Sequence, residues 1–147
     1  MTLRPQEVGP MAKFSPAELD YLTSERRLGR LATADADGHL HVVPVGMWRV
    51  NSHLGTIDIT GHDFARKRKF ANVRANPRAA LVVDDLASTD PWRPRSVMVE
   101  GPARAIDASP ETRGEGIIRI EPETIVSWGL EADNMRSTSG RATSNDP

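Results

Sequence analysis

Apolar residues occur along this chain in short runs, and several of these runs alternate with polar residues. Alternation with a period of two is typical of half-buried strands. The clearest case is segment 95–106, in which Val97 and Val99 fall on one face and Met98 and Glu100 on the other. Alternating segments and short apolar runs together predict seven or eight strands, at 28–33, 39–45, 47–50, 55–60, 79–84, 95–106, 117–120 and 124–128.

Two helices are predicted, one before the first strand and one after the fourth. Ser15, Pro16 and Glu18 form the pattern of a capping box with proline in the first turn, so the first helix should begin there and run to about residue 26. The second helix is predicted at 64–75, with Asp63 as its cap and the Asn76-Pro77 pair as its end.

The number of strands favours a mainly β fold. Eleven glycines and 11 prolines are more consistent with many turns than with a helical bundle. A closed or nearly closed small barrel is expected because closure removes exposed strand edges. Pro44 must lie at an edge or a bulge, since it has no N–H to donate. The neighbouring valines of 42–45 suggest that this strand is buried on both faces.

The chain also divides along its length. Residues 1–13 are expected to be an N-terminal extension, residues 14–130 one domain, and residues 131–147 a disordered tail, because the tail has almost nothing to bury. The segment 85–94 combines Ser, Thr, Pro and Asp with Trp92 and is predicted to be a long loop of the kind that often carries function.

A basic run, Arg66-Lys67-Arg68-Lys69, falls in the first turns of the predicted second helix. Cations at this position oppose the helix dipole. A bound phosphate would reverse that argument, since free backbone N–H groups, the Thr60 hydroxyl and the basic side chains could converge on it. At most two or three of the four could share one ligand, because successive helical side chains point about 100° apart. The alternative is a solvated basic face.

Composition excludes several functions. The net charge of −1 argues against a nucleic-acid binder, and the absence of cysteine excludes disulfides and zinc–thiolate sites. No apolar run is long enough for a membrane span and no signal peptide is evident, so a cytoplasmic location without membrane partners is expected. His39 and His41 share one side of a strand, but no acid is placed to complete a metal site, and none is predicted. Trp48 and Trp128 are expected to be core or interface anchors.

Three motifs carry a resemblance to a known family: Gly29-Arg-Leu-Ala-Thr33, His41-Val-Val-Pro-Val45, and the segment 67–83 with its Arg-Lys and Asn-Pro-Arg pairs. Over residues 14–130 the chain resembles the pyridoxamine 5′-phosphate oxidase-like split β-barrel superfamily. Segments 90–95, 99–101 and 117–129 are similar to its actinobacterial branch of coenzyme F420-dependent oxidoreductases. The resemblance implies an FMN-binding type split β-barrel of seven to eight strands with two or three short helices.

The resemblance also implies a homodimer with a cofactor site at its interface. Arg68 and Lys69 match the family's phosphate-binding pair, and Lys67 and Thr60 match polar positions beside it. Segment 42–45 matches the strand behind the cofactor ring. The candidate cofactor-binding residues are Val42, Val43, Pro44, Val45, Thr60, Lys67, Arg68, Lys69 and, from the Pro-rich loop, Trp92. Pro44 lacks the backbone N–H with which relatives often bond the ring.

The function implied is an F420-dependent reductase that transfers a hydride to an activated double bond of a small hydrophobic substrate. The first alternative keeps the site and replaces coenzyme F420 by FMN. The second is a cofactor-binding or carrier protein without turnover, since no catalytic acid or base can be named from the sequence. Tyr21 is the only tyrosine and lies on the first helix.

Overall fold

The computed structural model describes residues 11–130, 135–139 and 143–144. Helix α1 spans Pro16–Ser24 and helix α2 spans Arg68–Ala75, and two short 3₁₀ turns cover Phe64–Arg66 and Pro110–Thr112. The strands are β1 Gly29–Ala34, β2 Leu40–Val45, β3 Trp48–Asn51, β4 Thr56–Ile59, β5 Arg78–Thr89, β6 Trp92–Ile106, β7 Ile117–Ile120, β8 Thr124–Trp128, β9 Met135–Ser139 and β10 Thr143–Ser144. The mainly β prediction is confirmed.

All the strand pairs described are antiparallel, and β6 joins two sheets. The first half of β6 lies in the order β10-β9-β8-β6-β5-β1-β2, which we call sheet A. Its second half pairs with β7, which continues to β4 and β3, and these strands form sheet B. Gly101 lies where β6 passes from one sheet to the other. A Cβ there would stand 2.1 Å from the carbonyl oxygen of Glu121, so this close approach requires glycine.

The core is largely aliphatic, as the low aromatic content of the chain predicts. Inward side chains of both sheets pack together, and Leu31, Ile57 and Leu81 among them are at most 1% exposed. The predicted alternation of β6 is confirmed, since Val97 and Val99 are buried. The ring centroids of Phe64 and Phe70 lie 5.7 Å apart in an edge-to-face arrangement, and this contact packs α2 against the core.

Strand β2 is less buried than its valines suggest. It pairs only with β1 among the described residues, and Val42 is 63% exposed. The expectation of burial on both faces is therefore wrong, because nothing in the described chain covers the outer face of this edge strand. The edge position that Pro44 requires is confirmed.

The loop predicted at 85–94 is instead a paired hairpin. Strands β5 and β6 remain in register as far as Thr89 and Trp92, with one irregularity between Leu86 and Ser88. Pairing of β1 with β5 ends at Val83, and pairing of β8 with β6 begins at Ser96. Residues 84–95, which we call the arm, are thus a two-stranded ribbon without a flanking strand in the described chain.

The predicted disordered tail is wrong for Met135–Ser139, which form β9 on the free edge of β8. Arg136 of β9 donates from Nη1 to the buried carboxylate of Glu18 at 2.6 Å. That carboxylate also accepts from the Ser127 hydroxyl and, within the predicted capping box of α1, from the N–H of Ser15. A polar strand is held here because it satisfies a buried acid. Predictions for 1–10, 131–134, 140–142 and 145–147 lie outside the described residues.

The start of α2 and the N-terminal boundary also differ from expectation. Lys67, not Asp63, occupies the N-cap position of α2, and the Asp63 side chain makes no capping hydrogen bond. Asp63 has a φ of 49°, which turns the backbone into the 3₁₀ segment before the helix. Ala12 is buried and its N–H donates to the carbonyl of Pro122, so the extension predicted at 1–13 reaches into the domain.

Candidate functional site

One candidate site is formed where β2 ends, β4 ends and α2 begins. The N–H of Thr60, just after β4, donates to the carbonyl of Met47, just after β2, at 2.8 Å. From Thr60 the chain passes through the 3₁₀ turn directly into α2. The structure therefore places Thr60 beside the end of β2 and connects it through a short segment to the basic run at 66–69.

The basic run lacks the ion-pair partners that several arginines of the described chain have. Arg66, Lys67, Arg68 and Lys69 form no ion pair with the described residues. Further along, Arg74 pairs with Asp107 at 2.6 Å, and several other arginines are paired in the same way. Lys69 lies 5.3 Å above the Phe64 ring. Partial burial lowers the pKa of Lys69, and the charge of Lys67 lowers it further.

Helix α2 begins without a side-chain cap and without an acid in its first turn. Among the described residues the backbone N–H groups of Arg68 and Lys69 have no acceptor, whereas the N–H of Phe70 donates to the carbonyl of Lys67 at 3.1 Å. Cations without ion-pair partners and free N–H groups at the start of one helix form a favourable binding site for a phosphate. The anion interpretation of this run is favoured by these features and stays a prediction.

Two clefts border this region. One of about 330 Å³ lies beside the 3₁₀ turn and is lined by Met47, His62, Arg66 and Gly116, among others. The second, of about 730 Å³, lies over sheet B and includes Thr60. Glu115 borders both. Sequence reasoning missed the contribution of the 107–116 connection, because it contains no motif and its place beside β4 results from tertiary packing.

A buried ion pair forms the floor of the larger cleft. Arg119 of β7 binds both carboxylate oxygens of Asp58 of β4, at 2.9 and 3.0 Å. Asn51 and Thr56 donate to the same carboxylate. Burial opposes ionisation of Asp58, but these hydrogen bonds outweigh it and hold its pKa below the usual range. The charges of Asp58 and Arg119 therefore neutralise each other, and their hydrogen bonds make the floor of this cleft rigid.

The four candidates of β2 point in two directions. Val45 is buried and Val43 packs against the core, whereas Val42 and Pro44 are exposed on the opposite face. This outer face of sheet A continues through partly buried apolar side chains on the neighbouring strands. They are Ala32, Ala80, Val82, Met98 and Val126. On β2, only Val42, Pro44 and the strand edge that pairs with no described strand are accessible to a ligand at the outer face of sheet A.

Trp92 is not brought to the rest of the candidate site. Pro44, Arg30, Val82 and Met98 form one row of paired residues across four strands, and Trp92 lies six positions before Met98 on β6. At about 4.8 Å per strand and about 3.3 Å per residue, Trp92 is about 24 Å from Pro44. Trp92 is 68% exposed at the tip of the arm.

The other two tryptophans differ from each other. Trp48 is a core residue, as expected, and its Nε1–H donates to the carbonyl of Arg27 at 2.8 Å. Trp128 is partly exposed on the outer face of sheet A. Neither contacts the basic run through an interaction that the structure shows.

Tyr21 is unsuited to donate a proton to a substrate. It is buried, and its hydroxyl donates to Asp85 at 2.9 Å, while the guanidinium groups of Arg27 and Arg95 lie 4.0 and 5.2 Å from its ring centre. Burial, followed by the bond to Asp85, raises the pKa of Tyr21 well above its usual value. Its role is structural, at the base of the arm.

The turn between β1 and β2 holds the only His/acid cluster found in the described residues. The Asp35 carboxylate lies 3.1 Å from Nδ1 of His39, so the expectation that no acid is placed to complete a site with these histidines is wrong for His39. Asp35, Asp37 and His39 are close enough to share an ion. Asp35 already accepts the N–H groups of Asp37 and His39, however, and so this arrangement is explained as a hydrogen-bonded turn.

Comparison with known proteins identifies the class. The chain matches the pyridoxamine 5′-phosphate oxidase family over residues 15–137 and belongs to that family. It is 43% identical over 124 residues to the 5a,11a-dehydrotetracycline/5a,11a-dehydrooxytetracycline reductase of Streptomyces rimosus, a match that covers 82% of this chain and 86% of the relative. This relative supports an oxidoreductase.

Solved structures share the fold at low identity. An F420 reductase superposes with a TM-score of 0.56 at 20% identity, covering 72% of this chain and 94% of the other. A heme binding protein from Mycobacterium smegmatis superposes with a TM-score of 0.64 at 17% identity, covering 95% of this chain and 60% of the other. These two likenesses support the split-barrel fold. No helix in the described part of the chain is long and apolar enough to cross a membrane.

Proposed function

We propose that this protein is an F420-dependent reductase that acts as a homodimer on an activated double bond of a small hydrophobic substrate. The observation that carries the proposal is the unpaired basic run at the uncapped start of α2, in a chain 43% identical to a reductase. A cytoplasmic location belongs to the same proposal.

The residues present suit a cofactor that carries a phosphate. Arg68 and Lys69, with Lys67 beside them, would bind the phosphate, and the Thr60 hydroxyl lies at the same end of the site. A reduced deazaflavin supplies a hydride when bound. The outward face of β2, with Val42 and Pro44, would support a flat ring and exclude water from it.

The homodimer is proposed from the outer face of sheet A. That face is largely apolar, and no described residue covers β2. An exposed apolar face on an edge strand is a surface that a second copy would bury.

Two alternatives remain. FMN also combines a phosphate with a tricyclic ring, so the same residues would bind it. A carrier without turnover is the second, and the heme binding protein with a similar fold gives it support. Tyr21 is engaged with Asp85, which agrees with the lack of an evident proton donor.

Titration tests the proposal. The wild-type protein should bind coenzyme F420 at micromolar concentration and FMN more weakly, as measured by fluorescence at moderate salt. The Arg68→Ala/Lys69→Ala variant should lose about 100-fold or more in affinity, because each charged hydrogen bond contributes about 1.5–3 kcal/mol. The matched control is Arg74→Ala/Arg78→Ala, which removes two cations that are paired with Asp107 and Glu123.

The outcomes of this titration distinguish the proposed function from its two alternatives. Equal affinity of the Arg68/Lys69 variant and the control would refute the phosphate site. Tight FMN binding with weak F420 binding would favour the flavin enzyme. Binding of F420 without reduction of any enone substrate, including the substrate named for the Streptomyces rimosus relative, would favour the carrier.

A further inference from the structure

Helix α2 carries a buried polar side chain among its core residues. Asn72 is 5% exposed, and its neighbours on the helix, Phe70 and Val73, pack into the apolar core. Nδ2 of Asn72 donates to Oγ1 of Thr33 on β1 at 3.1 Å, and Thr33 is itself buried. Burial of an amide costs free energy unless the amide is hydrogen-bonded, so packing alone does not explain a residue of this type here.

We propose that Asn72, Thr33 and His41 form a buried polar bridge that fixes the start of α2 relative to β2, and that all three are positioning residues for the cofactor. Arg68 and Lys69 bind the phosphate, and the polar bridge sets where that phosphate lies relative to the strand that supports the ring. This inference rests on the proposed function and adds to it residues that touch neither the phosphate nor the ring.

Asn72 lies on the helix face that leads to the phosphate-binding residues. Arg68 and Lys69 are four and three positions before it, and residues at these spacings share one face of a helix. The rise of about 1.5 Å per residue puts the two cations about 4.5–6 Å from Asn72 along the helix axis. A side chain so close to the helix start controls the position of that start directly.

The same side of β1 holds α2 a second time. Asn76, the C-cap residue of α2, donates from Nδ2 to the carbonyl of Asp35 through a longer bond of 3.4 Å. The N–H of Asn76 also donates to the carbonyl of Asn72 at 2.7 Å. Two directional bonds to one strand end restrict the sliding and rotation of a helix, whereas apolar contacts such as those of Phe70 are not directional.

In the described chain, no side-chain hydrogen bond holds the first turn of α2. Lys67 occupies the N-cap position without such a bond, and the preceding 3₁₀ turn is entered through Asp63 with a φ of 49°. The position of the phosphate-binding groups therefore depends on contacts further along the helix, where Asn72 makes its buried bond.

The other end of the polar bridge reaches β2. Thr33 is paired with His41 across β1 and β2, and both lie on the inner face of these strands. Side chains directly opposite on antiparallel strands have Cβ atoms about 4.5–5.5 Å apart. Nδ1 of His41 is buried without a hydrogen-bond partner in the described structure, and the Thr33 hydroxyl keeps a proton to donate while its oxygen accepts from Asn72. Rotation of this hydroxyl towards Nδ1 satisfies both groups and links α2 to the strand that holds Val42.

Stability alone does not require the polar bridge. Replacing both partners of a buried hydrogen bond by apolar groups of similar shape is nearly neutral for stability. Such a replacement loses direction. A cofactor must meet its phosphate-binding groups and its ring-supporting strand at the same time, and this geometry is sensitive to displacements of about 1 Å.

A variant that removes the polar pair and keeps its volume tests the inference. Asn72→Leu/Thr33→Val should fold with a melting temperature within about 5 °C of the wild type. Fluorescence titration then compares FMN with riboflavin, and F420 with its phosphate-free deazaflavin. The gain in affinity from the phosphate should be about 10-fold smaller in the variant, although Arg68 and Lys69 are unchanged, because a misplaced helix start loses about one charge-assisted hydrogen bond.

Tyr21→Phe is the matched control, because it removes a side-chain hydrogen bond of a buried residue at the base of the arm. It should leave the gain from the phosphate unchanged, as should Thr33→Ser, which keeps the hydroxyl. A gain in the Asn72/Thr33 variant equal to that of the control would overturn the inference. His41→Leu, at the partly exposed end of the polar bridge, carries the same test if the double variant does not fold.

Double-mutant cycles test whether the three residues act together. The losses from Asn72→Leu/Thr33→Val and from Arg68→Ala/Lys69→Ala should be less than additive, since cations on a misplaced helix start contribute less. His41→Leu should reduce the gain from the phosphate by itself and add no loss to Thr33→Val. Additive losses in the first cycle would contradict the positioning role, and additive losses in the second would contradict a bridge that includes His41.

Hydrogen exchange separates this inference from the proposed function. If the wild-type protein binds neither phosphate-bearing cofactor more tightly than its phosphate-free form, the proposed function fails, and the polar bridge is tested without a ligand. In the unliganded Asn72→Leu/Thr33→Val variant, the backbone amides of α2 should exchange about 10-fold faster, while those of β5 and β6 exchange as in the wild type. Equal exchange from α2 in both proteins would show that the pair does not hold the helix and would overturn the inference.

Discussion

At the scale of single residues, Asp85 holds the arm to the body of the protein. Hydrogen bonds from Arg95, Arg27 and Tyr21 outweigh the effect of burial and lower its pKa to about 2. A carboxylate whose pKa is lower in the folded than in the unfolded state stabilises the fold above its unfolded pKa. That contribution is lost as the pH falls through the folded pKa. The relevant window lies between about pH 4 and pH 2.

Asp85→Asn should remove this pH dependence and lower the free energy of unfolding at pH 7. A shift of this size corresponds to about 2 kcal/mol, and partial exposure of the side chain reduces the expected loss to about 1–2 kcal/mol. Urea unfolding at several pH values measures it. Asp84→Asn is the control, because the exposed Asp84–Arg30 pair should contribute less than about 1 kcal/mol. An Asp85 variant as stable as the Asp84 variant would show that the cluster does not fix the arm.

Side-chain contacts can be predicted from the sequence only when the partners are close along the chain. The capping box at Ser15 and Glu18 was predicted because its partners are three positions apart. The link from Glu18 to Arg136 spans 118 positions, and no pattern near either residue indicates it. The Tyr21–Asp85 bond spans 64 positions and was missed for the same reason.

At the scale of elements, the C-terminal strand β9 shows what composition alone does not predict. Its residues are polar apart from Met135, yet it covers the edge of β8 and supplies Arg136 to the fully buried Glu18. Deleting residues 131–147 should expose the edge of β8 and leave the Glu18 carboxylate without its cation. Removal of one partner of a buried ion pair costs about 3–5 kcal/mol.

Chemical unfolding of two truncated proteins checks this expectation. The chain ending at 130 should be less stable by about 3 kcal/mol or more, or should fail to fold. The chain ending at Ser139 keeps β9 and should stay within about 1 kcal/mol of the full chain. The point variant Arg136→Ala, which keeps the strand, should account for a large part of the loss. Equal stability of both truncated chains would mean that β9 contributes no stability.

The strand predictions succeeded where burial follows a period of two, as on β6, and failed where a strand is exposed. On β2 the valine pattern predicts burial on both faces, but Val42 faces outward because no strand or helix of the described chain lies over it. On the arm, Pro91 and Pro94 and the polar residues indicated a loop. Pairing between β5 and β6 overrides that local preference. The basic run was found from sequence, whereas its lack of ion-pair partners required the structure.

At the scale of the whole molecule, substitutions in β2 can distinguish effects on folding from effects on association. Its successive side chains point to opposite faces, so Val42 and Val43 differ in environment while they are adjacent in sequence. Val42→Lys should leave the folded monomer intact, since the side chain is 63% exposed, and should weaken the proposed dimer by placing a charge in an apolar interface. Val43→Lys should destabilise the fold itself, because Val43 packs against the core.

Sedimentation velocity over a range of concentrations and thermal unfolding distinguish the two effects. The wild-type protein should show a melting temperature that rises with concentration, since association stabilises only the folded state. The Val42→Lys variant should sediment as a monomer and lose this dependence, with a melting temperature equal to that of the wild type at high dilution. A Val42→Lys protein that still dimerises would move the proposed interface away from β2.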